Sequence, residues 1–151
     1  MILGLQHIDP QQIAAIDSNS DKLTYADIAI LSQQITTDIP ERALCFLLVE
    51  NNIGGIAWVM SMLDSRKLVP LILNVKTETG LYQQLLATYQ PSYICAPTHF
   101  PVEGQTIDTH FDYTLTKVSD TICPIHNDLS HLLPTSGSTG SPKLVRHKYD
   151  N

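Results

Sequence analysis

Charge is scarce in this 151-residue chain: 16% of residues are Asp, Glu, Lys or Arg, against roughly 25% in an average soluble domain. Nine basic residues face fifteen acidic ones, a net charge of −6. That balance argues against a general binder of nucleic acid or of a membrane surface. No Lys or Arg occurs between Lys76 and Lys117. Cysteine is scarce too. Cys45, Cys95 and Cys123 stand far apart with no C-x-x-C spacing. An odd, unpatterned count points to a reducing compartment, and so to the cytoplasm. There is no H-E-x-x-H, and His126 and His131 lack a usual ligand spacing, so no metal site is expected. No apolar run is long enough to span a bilayer. The first residues lack the basic flank and apolar stretch of a signal peptide. Internal repeats and low-complexity segments are also missing.

What is present reads as alternating helix and strand. The chain is 43% apolar, enough to bury a core, and its length suits about one domain. Asp9-Pro10 and residues 17–21 are turn signals, with a short helix suggested over residues 10–16. Thr24 with Asp27 three residues on forms a capping-box pattern. Ile28, Leu31, Ile35 and Ile39 then follow at helical spacing, and Pro40 ends the segment. Residues 42–49 are a continuous apolar run, as in a strand covered on both faces. Glu50, Asn51 and Asn52 turn with cap character. Residues 53–63 are apolar nearly all round, the mark of a buried helix. Gly54 and Gly55 there allow close approach, and Trp58, Met60 and Met62 are core candidates. Residues 68–73 form a second buried strand, in which Pro70 suggests an edge or a bulge.

A strand, a crossover helix and a strand make a βαβ unit with parallel pairing. A helix over 79–89 carries Leu81, Leu85 and Tyr89 on one stripe and is closed by Pro91. A strand at 92–95 completes β-α-β-α-β, a Rossmann-like half of α/β class with a mostly parallel sheet. Cys45 and Cys95 fall in apolar runs and read as core. Residues 96–105 read as loop. Residues 106–117 read as one or two strands with Ile107, Phe111, Tyr113 and Leu115 inward. Residues 123–128 are a linker-like turn, 129–133 a short strand, and 144–147 the start of another.

Between those last two strands lies Thr135-Ser136-Gly137-Ser138-Thr139-Gly140-Ser141-Pro142-Lys143. Gly137 and Gly140 can adopt backbone angles closed to other residues and let a ligand approach the main chain. Successive N–H groups in such a turn can form an anion-binding nest. The hydroxyls of Thr135, Ser136, Ser138 and Thr139 are small donors, and Lys143 adds a mobile charge. The plainer reading is a Ser/Thr/Gly surface loop, which composition alone would favour. It is not a Walker A loop, because the glycines are three apart and Pro142 precedes Lys143. Nor does it supply the G-x-S-x-G of a nucleophile elbow. Lys143, Arg146 and Lys148 make a local basic cluster within six residues. Such a cluster suits a polyanionic ligand; a solvated chain end is an equal reading for Arg146 and Lys148.

The order T-S-G-S-T-G-x-P-K resembles the phosphate loop of the adenylate-forming superfamily: acyl-CoA synthetases, adenylation domains of non-ribosomal peptide synthetases, and beetle luciferases. It runs unbroken over nine positions, Thr135 to Lys143. The L-T-Y-A-D-I stretch at residues 23–28 resembles the family's early helix start, and V-E-N-N with the later V-P-L is similar to another of its regions. Beyond Lys143 the family usually has Gly, where this chain has Leu144. A His often follows, where counting gives Tyr149. Asn151 falls where the family often has Asn.

The resemblance implies ATP-dependent activation of a carboxylic acid, by acyl-adenylate formation and release of pyrophosphate. Transfer to a thiol, CoA or a carrier-protein phosphopantetheine arm, usually follows. Thr135, Ser136, Gly137, Ser138, Thr139, Gly140 and Lys143 would then hold the ATP β- and γ-phosphates, with Mg²⁺ nearby and the loop joining two strands. Ser136, Ser138, Thr139 and Lys143 are the expected direct contacts. Residues 1–151 would form one partial domain, the first part of the large N-terminal domain of a longer ligase. The adenine and ribose motifs, the acid pocket, the hinge and the catalytic lysine would lie elsewhere, so this stretch alone would be inactive and hold no catalytic residue. A reading of another class is a truncated or degenerate non-catalytic domain acting through protein contacts. A third is a stand-alone phosphate-loop nucleotide binder. The reading frame beyond Asn151 separates the first two.

Overall fold

The computed structural model describes residues 9–17, 20–134 and 144–149. Two short strands, β1 (Ile13–Ile16) and β2 (Lys22–Thr24), precede α1 (Tyr25–Asp38), β3 (Ala43–Val49), α2 (Ile53–Ser65) and β4 (Leu68–Asn74). Then come α3 (Thr79–Tyr89), β5 (Tyr93–Pro97), β6 (Gln105–His110), β7 (Tyr113–Lys117), β8 (Leu129–Pro134) and β9 (Leu144–Lys148).

A capping box starts α1. Thr24 Oγ1 accepts from the Asp27 N–H at 3.2 Å, and Asp27 Oδ2 accepts from the Thr24 N–H at 2.9 Å. Two N-terminal donors that a helix leaves orphaned are thereby satisfied. Ile28, Leu31 and Ile35 then fall on one buried stripe, and Ile39 is extended and buried ahead of Pro40. Asn52 caps α2, its Oδ1 accepting from the Gly55 N–H at 3.1 Å. Trp58 and Met62 of α2 are fully buried, whereas Met60 is only half-buried.

Seven strands form one sheet in the order β6-β7-β5-β3-β4-β8-β9. Its centre, β5-β3-β4-β8, is parallel, and antiparallel strands flank it on both sides. This is the Rossmann-like βαβαβ half read from the sequence. Strand β3 explains its own apolar run. Successive side chains point to opposite faces. Cys45 and Leu47 join the core under α1 and α2, while Phe46 and Leu48 join the core under α3. Each such fully buried side chain contributes about 1.5–3 kcal/mol. Cys45 and Cys95 are both in the first of these cores.

Four sequence expectations change. Residues 10–16 hold strand β1, not a helix; Ala15 pairs with Leu23 and Ile16 with Lys22. The turn at Asp17, where its carbonyl accepts from Ser20 at 3.0 Å, folds the chain straight into this hairpin. Pro70 marks neither an edge nor a bulge: it lies in β4, in unbroken register with β3 opposite Cys45. It is tolerated because β8 pairs with β4 only at Leu71↔Leu132, leaving the ladder on that side nearly open. Residues 96–97 belong to β5 and Gln105 to β6, so the loop between is shorter. Finally, Phe111 points outward. The 106–117 segment is a full hairpin whose turn residues Phe111 and Asp112 have φ of 56° and 61°. Two positive φ angles in sequence are the geometry of a two-residue hairpin turn, so Phe111 sits at the tip, 37% exposed. Tyr113 and Leu115 are buried as read, and Ile107 is half-buried.

Candidate functional site

The candidate loop residues Thr135, Ser136, Gly137, Ser138, Thr139, Gly140 and Lys143 lie outside the described residues. Their frame is described. Strand β8 enters the sheet because Leu132 packs with Leu71 and Leu73 in the core under α3. Strand β9 returns antiparallel, and Pro134↔Leu144 closes the base of the loop. The loop thus joins two neighbouring strands, unlike the strand-to-helix loop of Walker A. It leaves from the C-terminal end of β8, and β3, β4 and β8 run parallel, so Val49, Asn74 and Pro134 finish at one sheet edge. Ligands of parallel α/β sheets sit outside that edge.

A polar network stiffens the same edge. The Tyr113 hydroxyl accepts from the Glu50 N–H at 2.9 Å and donates to Asn52 Oδ1 at 2.9 Å. Burial pushes the Tyr113 phenol up. The Tyr113 ring packs so closely on α2 that a Cβ at Gly54 would lie 2.6 Å from its Cδ1; this is the close approach the glycines permit. His99 Nε2 meets Glu50 Oε1 at 2.6 Å on the surface. A cavity of about 470 Å³ lies between the ends of β3 and β4 and the first turns of α2, bordered by Glu50, Asn52, Gly55 and Asn74. Among the described residues, no cluster of three or more His, Cys, Asp or Glu is placed to hold a metal ion.

The basic residues beyond the loop, Arg146 and Lys148, lie on β9. On β9, Leu144, Arg146 and Lys148 alternate onto one face, where all three line a second cavity of about 530 Å³ with Leu129 and Leu132. Lys148 stands four residues from Leu144, about 13 Å along the strand at ~3.3 Å per residue. It therefore belongs to the far end of β9 rather than to the loop base. His131 and His147 occupy the other face, paired in register and stacked. The Ser130 hydroxyl contacts His131 Nδ1 at 2.8 Å and donates to the His147 carbonyl at 3.0 Å.

Tyr149, standing where the resembled family often has His, is an anchor. Its ring lies under the Arg66 guanidinium at 4.2 Å and near that of Arg42 at 5.8 Å. Arg42 also donates to the carbonyls of Arg66, at 2.8 Å, and of His126 and Leu129. These cation–π and hydrogen-bond contacts tie the end of β9 to the starts of β3 and β8. Tyr113, Asn52 and Arg42 were not singled out as site-framing residues in the sequence. The cap character of Asn52 was legible, but a phenol 61 residues away as its partner was not.

No protein-family profile matches the sequence, and no curated protein sequence does. Solved structures do. The o-succinylbenzoate CoA synthetase MenE of Bacillus subtilis, solved with the acyl-adenylate intermediate OSB-AMP, superposes with a TM-score of 0.69 at 16% identity, over 97% of this chain and 41% of that one. The N-terminal subdomain of Klebsiella oxytoca NpsA, solved with 3-hydroxybenzoyl-AMSN, gives 0.64 at 16% identity, over 98% and 40%. The N-terminal domain of FACL13 from Mycobacterium tuberculosis gives 0.65 at 14%, over 98% and 43%. The chain therefore spans 40 to 43% of the length of these three solved chains. Nearly the whole of this chain therefore shares its α/β fold with part of each of these solved proteins.

Proposed function

We propose that this chain is the phosphate-loop-bearing part of an ATP-dependent ligase of the adenylate-forming family, which activates a carboxylic acid as its acyl-adenylate and then passes it to a thiol. One observation carries the reading. The unbroken T-S-G-S-T-G-S-P-K run falls between two antiparallel neighbours, β8 and β9, at the C-terminal edge of a sheet shared with enzymes solved as adenylate complexes.

The chemistry asks for attack of a carboxylate on the α-phosphate, with pyrophosphate leaving. That is mainly a matter of position and of neutralising charge on the leaving group. The donor set fits it. Thr135, Ser136, Ser138 and Thr139 offer hydroxyls, Gly137 and Gly140 backbone N–H groups that no side chain would screen, and Lys143 a cation for the β- and γ-phosphates. Mg²⁺ would accompany the triphosphate. The thiol acceptor would be CoA or a carrier-protein phosphopantetheine.

The chain spans only part of the solved enzymes it matches; on this reading the remaining walls of the site would belong to further sequence. Residues 1–151 by themselves should show no acid-dependent exchange of pyrophosphate into ATP. Clear exchange by this stretch alone would overturn the assignment.

A further inference from the structure

The cavity beside β9 has a chemistry of its own. It opens on the α3 face of the sheet, with a volume of about 530 Å³, inside the ~300–1,000 Å³ of small-molecule pockets. Leu44, Leu129, Leu132 and Leu144 give it an apolar wall drawn from three strands, β3, β8 and β9. Arg146 and Lys148 project from β9 along one side. No Asp or Glu lines it, and among the described residues neither cation makes an ion pair. In a chain of net charge −6, a pocket holding two cations and no acid is locally opposite in sign to the whole.

We propose that this cavity binds a small apolar carboxylate, its hydrocarbon body against the leucines and its carboxylate at Arg146 and Lys148. Apolar burial supplies the attraction, and the two cations choose the sign of the head group. The inference does not depend on the phosphate loop, and it concerns a site outside residues 135–143.

Cys123 provides a built-in reporter. It is exposed and lines the same cavity, whereas Cys45 and Cys95 are buried. Burial also pushes both of those thiols up, which holds them in the unreactive form. A neutral alkylating reagent, iodoacetamide, therefore reads Cys123 in the folded chain. The probes are decanoate, decanol and decylamine, which share a tail and differ in head-group charge. Decanoate should slow alkylation of Cys123 at concentrations ~5-fold or more below decanol, and decylamine should not protect. The double substitution Arg146→Gln with Lys148→Gln should bring decanoate down to the level of decanol, with the unfolding midpoint unchanged. Absence of protection by decanoate, equal protection by decylamine, or an unaltered decanoate effect in the double variant would each overturn the proposal.

Discussion

His131 and His147 stack face to face across the β8–β9 pair, ring centroids 4.4 Å apart and planes 2° from parallel. Burial first, and His147 second, hold the His131 imidazole below its ordinary value. A depressed pKa means that the unfolded chain takes up its proton more readily. The stabilisation is present above about pH 6.5 and is lost as pH falls towards the folded value. The two strands that frame the loop should thus loosen in acid. His131→Phe keeps a stacked ring without a proton to gain. Its unfolding midpoint should fall less than that of the parent between about pH 7.5 and about pH 5.5.

Tyr113→Phe removes one oxygen and leaves two partners, the Glu50 N–H and Asn52 Oδ1, without their hydrogen bonds at 2.9 Å. An unsatisfied buried donor costs about 1–3 kcal/mol. Chemical denaturation should report a loss of that size. The slope of the transition should not change, because the hydrophobic packing of the ring remains.

Gly54→Ala tests the tight contact between α2 and the β6–β7 hairpin. The added methyl would stand 2.6 Å from the Phe111 carbonyl oxygen, a backbone atom that cannot swing aside. Overpacking of this kind costs about 1–3 kcal/mol. It outweighs the gain of up to about 1 kcal/mol that alanine normally gives in a helix. The thermal midpoint should fall by roughly 2–4 °C for each kcal/mol lost.

Asp38 and Asp108 bring two carboxyls together between the end of α1 and β6. Burial first, then Asp38, pushes the Asp108 carboxyl up to about 7. Hydrogen bonds from Asp108 and from Gln34 Nε2, the latter at 3.0 Å, hold Asp38 low. A raised folded pKa stabilises below the unfolded value, about 3.9, and that contribution disappears as pH rises through about 7. Asp108→Asn should therefore raise stability at about pH 8, by roughly 1 kcal/mol, and change it little at about pH 4. Thermal melts at the two pH values decide it.

Local signals and distant pairings differ in how well the chain announces them. The α1 start was legible because Thr24 and Asp27 complete a capping box within one turn. The sheet centre was legible because β3 and β4 must be apolar on both faces. Pro70 misled, since its meaning depends on how far β8 pairs with β4, a fact no local pattern carries. Phe111 misled for a different reason: alternation placed it inward, but the hairpin turn takes two residues with positive φ, and here neither is glycine. For the site, residue order gave the candidate loop. The cavity beside β9 assembles Leu44, Cys123, Leu132 and Arg146 from separate elements, with no signature in the sequence. That Arg146 and Lys148 line this cavity together with Leu144 follows from strand alternation along β9, which shows only once β9 is known to be a strand.

The central claim is that residues 135–143 hold the triphosphate of ATP while a carboxylic acid is activated. Its most direct test is acid-dependent exchange of labelled pyrophosphate into ATP by the whole polypeptide that contains this chain, with and without Lys143→Ala. The account predicts exchange with at least one carboxylic acid, reduced about 10²-fold or more by the substitution, as for loss of one charge-stabilising contact to the reacting phosphates. Exchange that is indifferent to Lys143→Ala, or absent across a broad panel of acids in the folded polypeptide, would contradict it.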